Sequence, residues 1–192
     1  MKLKLISIMF ILLGAGVTGY AGWGIVKSKV QADVSIEKAK EVVAKTAEPE
    51  RDERFAPSTG EVVGLLKIPA INSELAIIEG TDPDELEKGV GHYKGSYYPG
   101  ENGQIVLSGH RDTVFRRLGE LELGDELTMK MPFGEHTYNI VETKIVEADD
   151  LSIITLQNEE EELIVTTCYP FSYIGNAPQR YIIYAKKAAD KN

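Results

Sequence analysis

An uncharged apolar run at residues 5–26 gives way, after residue 60, to short hydrophobic stretches separated by turn residues. The first pattern predicts a helix. At about 1.5 Å per residue it reaches roughly 33 Å, enough to cross a bilayer core of about 30 Å. A cleaved signal has an apolar core of only about 7–15 residues, so the run reads as an uncleaved anchor, with Val30-Gln31-Ala32 as the alternative cleavage site. Lys2 and Lys4 precede it and Lys27 and Lys29 follow it, so flanking charge gives little orientation. The short N-terminal stub and the large acidic remainder favour the N-terminus inside and the bulk outside. No cysteine ends the run, which excludes a lipoprotein anchor. Residues 1–29 are thus expected to be the anchor, 30–60 a linker or stalk, and 61–188 the folded domain. Within the stalk, residues 35–47 are rich in helix formers, with Ile36, Ala39, Val42 and Val43 on one side. They predict a solvated helix, followed by an irregular segment over 48–60.

From residue 64 the pattern turns to short β-like runs. Strands are predicted at 64–68 and 74–79, around a Pro-Ala-Ile-Asn turn at 69–72, and at 103–110, 126–131, 136–148, 162–168 and 180–186. In the run 136–148 the alternation slips phase near Val141, which predicts a bulge or two strands. Helical pieces are expected only at 83–88 and 112–121. Seven or eight short strands with few helices predict an all-β fold, a closed or nearly closed barrel.

Composition narrows the function. With 192 residues there is material for one domain, an anchor and a linker. The formal net charge is −9, and no basic stripe follows residue 30, which argues against a nucleic-acid partner. The single cysteine, Cys168, ends the apolar run Leu163-Ile164-Val165. An exported chain usually has paired cysteines or none. A lone thiol outside the membrane is tolerable if it is buried and inert, or if its reactivity is its function.

Two more reactive side chains sit at strand ends. His110 follows Ile105-Val106-Leu107, and Arg180 opens the last strand, 12 residues after Cys168. Cysteine, histidine and arginine form a coherent set: a thiolate to attack a carbonyl, an imidazolium to protonate the leaving amine, and a guanidinium for the substrate backbone or oxyanion. Taken one by one, each has a plainer reading, as a core thiol, a structural histidine and a surface charge. Arg111 and Asp112 read as a local ion pair or helix start, with Asp112 suited to an N-cap. His92 and His136 read as structural. Tyr93, Tyr97 and Tyr98 either line a groove or pack a loop.

The motifs Leu-Ser-Gly-His-Arg-Asp-Thr at 107–113 and Thr-Thr-Cys-Tyr-Pro-Phe at 166–171, with Arg180, resemble those of the sortases, cysteine transpeptidases of Gram-positive cell walls. The resemblance covers residues 62–187. The family's Thr-x-Thr-Cys is matched only as Val165-Thr166-Thr167-Cys168. His-Arg-Asp-Thr-x-Phe-Arg-x-Leu at 110–118 and Ala-Pro-x-Arg-Tyr at 177–181 look most like class D. The pilin-building class carries Asp-Pro-aromatic before the barrel, and here the only Asp-Pro, Asp82-Pro83, is followed by Asp84.

The resemblance implies an eight-stranded sortase-type β-barrel with short helices behind one N-terminal transmembrane helix. It implies that Cys168 cleaves an LPxTG-like C-terminal sorting signal after its Thr. A peptidoglycan amine then takes over the thioacyl group, so that surface proteins become fixed to the wall. His110 would be acid and base, Arg180 the substrate and oxyanion ligand, and Thr167 a substrate-binding residue. No cofactor is required by this chemistry. The acidic run 159–162 offers the oxygen ligands that calcium takes, as some sortases use at a comparable loop, but a solvated acidic turn is the favoured reading. The expected location is the cell membrane, single-pass, with the domain outside. The rivals are an exported β-domain with an inert thiol and another exported cysteine peptidase. A redox sensor is disfavoured because there is no resolving cysteine.

Overall fold

A computed structural model describes residues 2–44, 55–173 and 175–189. One long helix, α1 (Lys2–Ala44), precedes eight strands. They are β1 (Val62–Ile68), β2 (Ser73–Glu79), β3 (Val90–His92), β4 (Gln104–Gly109), β5 (Glu126–Met131), β6 (Gly134–Glu147), β7 (Glu162–Tyr169) and β8 (Gln179–Lys187). They close into a barrel in the order β1-β2-β3-β4-β7-β8-β6-β5, which leaves no unpaired sheet edge. The β2–β3 and β4–β7 pairs are parallel and the others antiparallel.

The strands beneath Cys168 are covered on both faces. Ile105 and Leu107 of β4, Leu163 and Val165 of β7, and Ile183 and Ala185 of β8 point into the barrel. Their neighbours Val106, Ile164 and Ile182 point outward, under Ile153 and Ile154 of the β6–β7 connection. Burial on both faces is why these strands read as unbroken apolar runs rather than alternating ones.

All seven predicted strands are present, with ends moved by at most two residues. The phase slip near Val141 is a bulge: pairing of β6 with β8 shifts between Ile140 and Glu142, and one strand runs through it. The strand missed from the sequence, β3, has three residues with glycine at its centre and no alternation to read. The predicted helix at 83–88 is one turn, α2 (Pro83–Leu86).

The predicted helix at 112–121 is not α-helical. Turns run from 111 to 117 and a 3₁₀ turn covers Leu118–Glu120. Phe115 N–H donates to His110 O, five residues back, and Leu118 N–H to Phe115 O. Both side chains, three residues apart, are fully buried, a spacing that suits tight turns better than an α-helix.

The stalk also differs from expectation. Residues 30–44 continue α1 without a break, and the helix is not solvated all round. Ile36, Ala39 and Val43 pack on Leu65 of β1 and on Ala76 and Ile78 of β2. Of the irregular segment expected at 48–60, residues 48–54 lie outside the described residues.

One polar cluster sits inside the β2–β3 pair. The Glu79 and His92 side chains meet at 2.7 Å (Oε2 to Nδ1), and the Tyr98 hydroxyl donates to the same oxygen at 2.5 Å. The His92 ring stacks on Tyr98 at 4.1 Å. Burial alone would raise the Glu79 carboxyl, but the bonds from His92 and Tyr98 outweigh it and hold that carboxyl below the usual carboxylate range. Tyr98 therefore packs the loop rather than lining a groove.

Two outcomes are expected. A chain beginning at residue 55 should have a lower Tm than one beginning at residue 30, because its bare Leu65, Ala76 and Ile78 lose their cover; equal values in a thermal melt would show that α1 adds no stability. Glu79→Gln should lose on the order of 1–3 kcal/mol at pH 7. A depressed carboxyl contributes stability above the unfolded value of about 4.3 and loses it as pH falls through the folded one. The gap between wild type and variant should therefore narrow below about pH 4. Denaturant titration across pH tests this, and a constant gap would contradict it.

Candidate active site

Register brings the three predicted groups together. Along the β4–β7 ladder each residue pairs with one 58 positions on, from Gln104 with Glu162 to Gly109 with Thr167. His110, the next residue, leaves β4 level with Cys168. On the other side Cys168 pairs with Arg180 of β8, and directly opposed residues share a face. Because Leu163, Val165 and Thr167 face inward, Cys168 faces out. His110, Cys168 and Arg180 line one cleft of about 290 Å³ with Arg111, Asp112, Gly175, Asn176 and Ala177. The free Cys168 thiol is half-buried, in a cleft wall rather than in the core, so it is not the sealed, inert thiol of the plainer reading.

The rigid side of the site is built from short contacts. Gly109, beside His110, packs flat on Phe115; a Cβ there would lie 2.5 Å from the ring. Thr167, expected to bind substrate, does not reach the cleft. It is buried, and its hydroxyl donates to Gly109 O at 2.7 Å. Alternation turns it inward, where it ties the strand of His110 to the strand of Cys168.

The other side is a loop held by its carbonyls. Arg180 donates through Nη1 to Gln179 O at 3.0 Å and Ala177 O at 3.3 Å, leaving Nε and Nη2 for a ligand. Arg111 does not pair with Asp112. Its Nη2 donates to Tyr173 O at 2.7 Å and Gly175 O at 2.8 Å, and its guanidinium lies 6.0 Å from the Tyr173 ring centroid. Sequence offered no signal for this, because the partners are backbone oxygens more than sixty residues away. Asp112 caps no helix; its carbonyl accepts from Arg116 at 2.7 and 3.0 Å.

The other candidates lie elsewhere. His92 is fully buried against Glu79. His136 packs edge-on against Phe133, and burial pulls its pKa down. Three of the four carboxylates in the acidic run 159–162 have partners within the fold. Glu160 pairs with Lys186, Glu161 accepts from the Tyr138 hydroxyl and pairs with Lys187, and Glu162 accepts from Gln104. Burial, reinforced by Glu161, pushes the Tyr138 phenol far up, so it stays a donor. Among the described residues no three His, Cys, Asp or Glu side chains converge as metal ligands.

Comparison with known proteins agrees with this geometry. The sortase domain model matches residues 66–188. Sortase D of Bacillus subtilis (strain 168) is 55% identical over 194 residues, covering 96% of this chain and 98% of the relative. The solved structure of a Clostridium perfringens Sortase D5 transpeptidase superposes with a TM-score of 0.73 at 26% identity, over 83% of this chain and 99% of the other. The catalytic domain of B. anthracis SrtD gives 0.59 at 42% identity, over 73% and 96%. These likenesses remove the non-enzymatic β-domain and the unrelated cysteine peptidase as readings, and they set the protein in a family of the cell envelope. An apolar helix long enough to cross a membrane, a closed eight-stranded barrel and a lone thiol beside His110 and Arg180 meet in one chain, which belongs to the sortase family as a class D cysteine transpeptidase.

Proposed function

We propose that Cys168, His110 and Arg180 carry the transpeptidase reaction on an LPxTG-like sorting signal. The observation behind it is the cross-strand pairing of Cys168 with Arg180, with His110 level on the far side. The Cys168 thiolate attacks the carbonyl carbon of the signal's Thr. Arg180 binds the signal's backbone, and as the C=O electron pair moves to oxygen its free donors stabilise that oxyanion. The oxyanion collapses, the C–N bond breaks, and His110 passes its proton to the departing amine. A thioacyl enzyme remains. An amine of a peptidoglycan precursor then attacks the same carbon and gives a proton to neutral His110. The C–S bond breaks and returns the thiolate. Protons and electrons balance within these three side chains, so the chemistry requires no cofactor. Thr167 acts on this step only by holding β4 against β7.

The same reading assigns the surroundings. The partners are surface proteins bearing the signal and a peptidoglycan precursor that supplies the amine. Residues 5–26 hold the protein in the cell membrane as a single pass, with the barrel outside; their uncharged run and the exposed apolar side chains of α1 support this.

Cys168→Ala should abolish cleavage of an LPxTG-like peptide while the circular-dichroism spectrum and Tm stay near wild type; retained turnover would remove Cys168 as nucleophile. Arg180→Ala should lower kcat by about 10²–10³-fold, the size of a lost oxyanion donor. A steady-state assay showing a loss below tenfold would take Arg180 out of the transition state.

A further inference from the structure

Two guanidinium groups hold the β7–β8 connection, and both do so through backbone oxygens. Arg111 takes Tyr173 O and Gly175 O at one end, and Arg180 takes Ala177 O and Gln179 O at the other. Gly175, Asn176 and Ala177 line the cleft together with Cys168. Gly175 has φ of 99°, a conformation that glycine adopts freely and other residues rarely do. The cleft wall therefore turns at a residue with little steric restraint of its own, and its position depends on what grips it from outside.

Arg111 is attached to the rigid side of the site. It follows His110 directly, and His110 follows Gly109, which is fixed by the Thr167 hydroxyl and the Phe115 ring. Its grip is not optimised for stability alone. Nη2 makes both bonds, while Nη1 is sealed from solvent with no partner. A buried donor left unpaired is destabilising, and folded proteins seldom keep one.

We propose that Arg111 is a positioning residue: it carries the geometry of the His110 strand end across to the β7–β8 loop, and through Ala177 O it sets where the Arg180 guanidinium stands. The proposal rests on the reading that Arg180 binds the sorting peptide. Arg111 touches no reacting atom. Without it, the loop relaxes at Gly175, Ala177 O moves, and Arg180 follows its acceptor away from the substrate. Lysine does not replace it, because its ammonium is a strongly hydrated point charge on a flexible stem, whereas the rigid, planar guanidinium holds Nη2 in one orientation toward both carbonyls.

The test is a double-mutant cycle on peptide binding, made in the full-length Cys168→Ala protein so that turnover plays no part. The probe is a fluorescent peptide carrying an LPxTG-like motif, and the readout is Kd. Arg111→Ala alone should weaken binding about tenfold, the loss of roughly one charge-assisted bond. Arg180→Ala should weaken it by a similar or larger factor. In the double variant the two factors should not multiply, and Kd should stay within about threefold of Arg180→Ala alone. Arg111→Lys should behave like Arg111→Ala, with a Tm near wild type showing that the fold is kept. Factors that multiply, or an Arg111→Ala Kd within twofold of the parent, would overturn the proposal. Turnover by Cys168→Ala in the separate cleavage assay would instead strike the proposed mechanism.

Discussion

The parallel ladder between β4 and β7 decides where chemistry can occur. A slip of one residue would turn Cys168 into the barrel and part it from His110. The middle of the ladder cannot prevent such a slip. Ile105, Val106 and Leu107 face Leu163, Ile164 and Val165, and both faces are buried, so apolar residues meet apolar surroundings in either register. The ends do the fixing. At one end the Gln104 amide donates to Ile153 O, while its oxygen accepts from Thr155 N and Leu156 N. At the other end Thr167 donates to Gly109 O, and only glycine fits against Phe115. A shifted register would leave these buried polar groups unpaired, at about 1–3 kcal/mol each. Specificity of pairing thus comes from a few polar atoms, and bulk stability from the apolar middle.

The second wall of the cleft follows a different principle. Beyond Phe171, which packs against the core, the described residues of the β7–β8 loop are largely exposed and are held by donors acting on their carbonyls. Such bonds are individually modest and exchange readily with water or with a ligand. A strand-borne nucleophile thus faces a wall fixed by a few polar bonds rather than by packing. The same division appears on Arg180, which uses one nitrogen on its own loop and keeps two others for a ligand.

Sequence showed the parts that are local. The bulge at Val141 was visible because alternation must change phase where one residue is added. Cys168, His110 and Arg180 stood out by residue type at strand ends and by the motifs around them. What escaped was non-local. The β3 strand is too short to show a period and exists because β2 and β4 pair with it. The resemblance implies Thr167 as a substrate contact, whereas alternation along β7 turns it to the face opposite Cys168. The stalk helix was read as solvated because its partner surface, Leu65, Ala76 and Ile78, comes from strands whose outer faces cannot be told from inner ones in sequence.

The docked helix also orients the site. Residues 28–32 of α1 face the 112–117 turn across a groove of about 590 Å³, while Ile36, Ala39 and Val43 lie further on, against β1 and β2. At about 1.5 Å per residue, residues 28–32 are within roughly 10 Å of the end of the apolar run at Val26. The turn beside them begins next to His110. With α1 across the bilayer as proposed, the end of the barrel that carries His110 is the end nearest the membrane surface. The β1–β2 face that α1 covers lies across the strand order from β7 and β8, so the helix holds the barrel close to the lipid without covering the strand that bears Cys168. A flexible stalk would let the cleft face any direction. A helix that runs unbroken from the apolar run onto the barrel, with that run in the bilayer as proposed, restricts the cleft to one end of the barrel relative to the membrane.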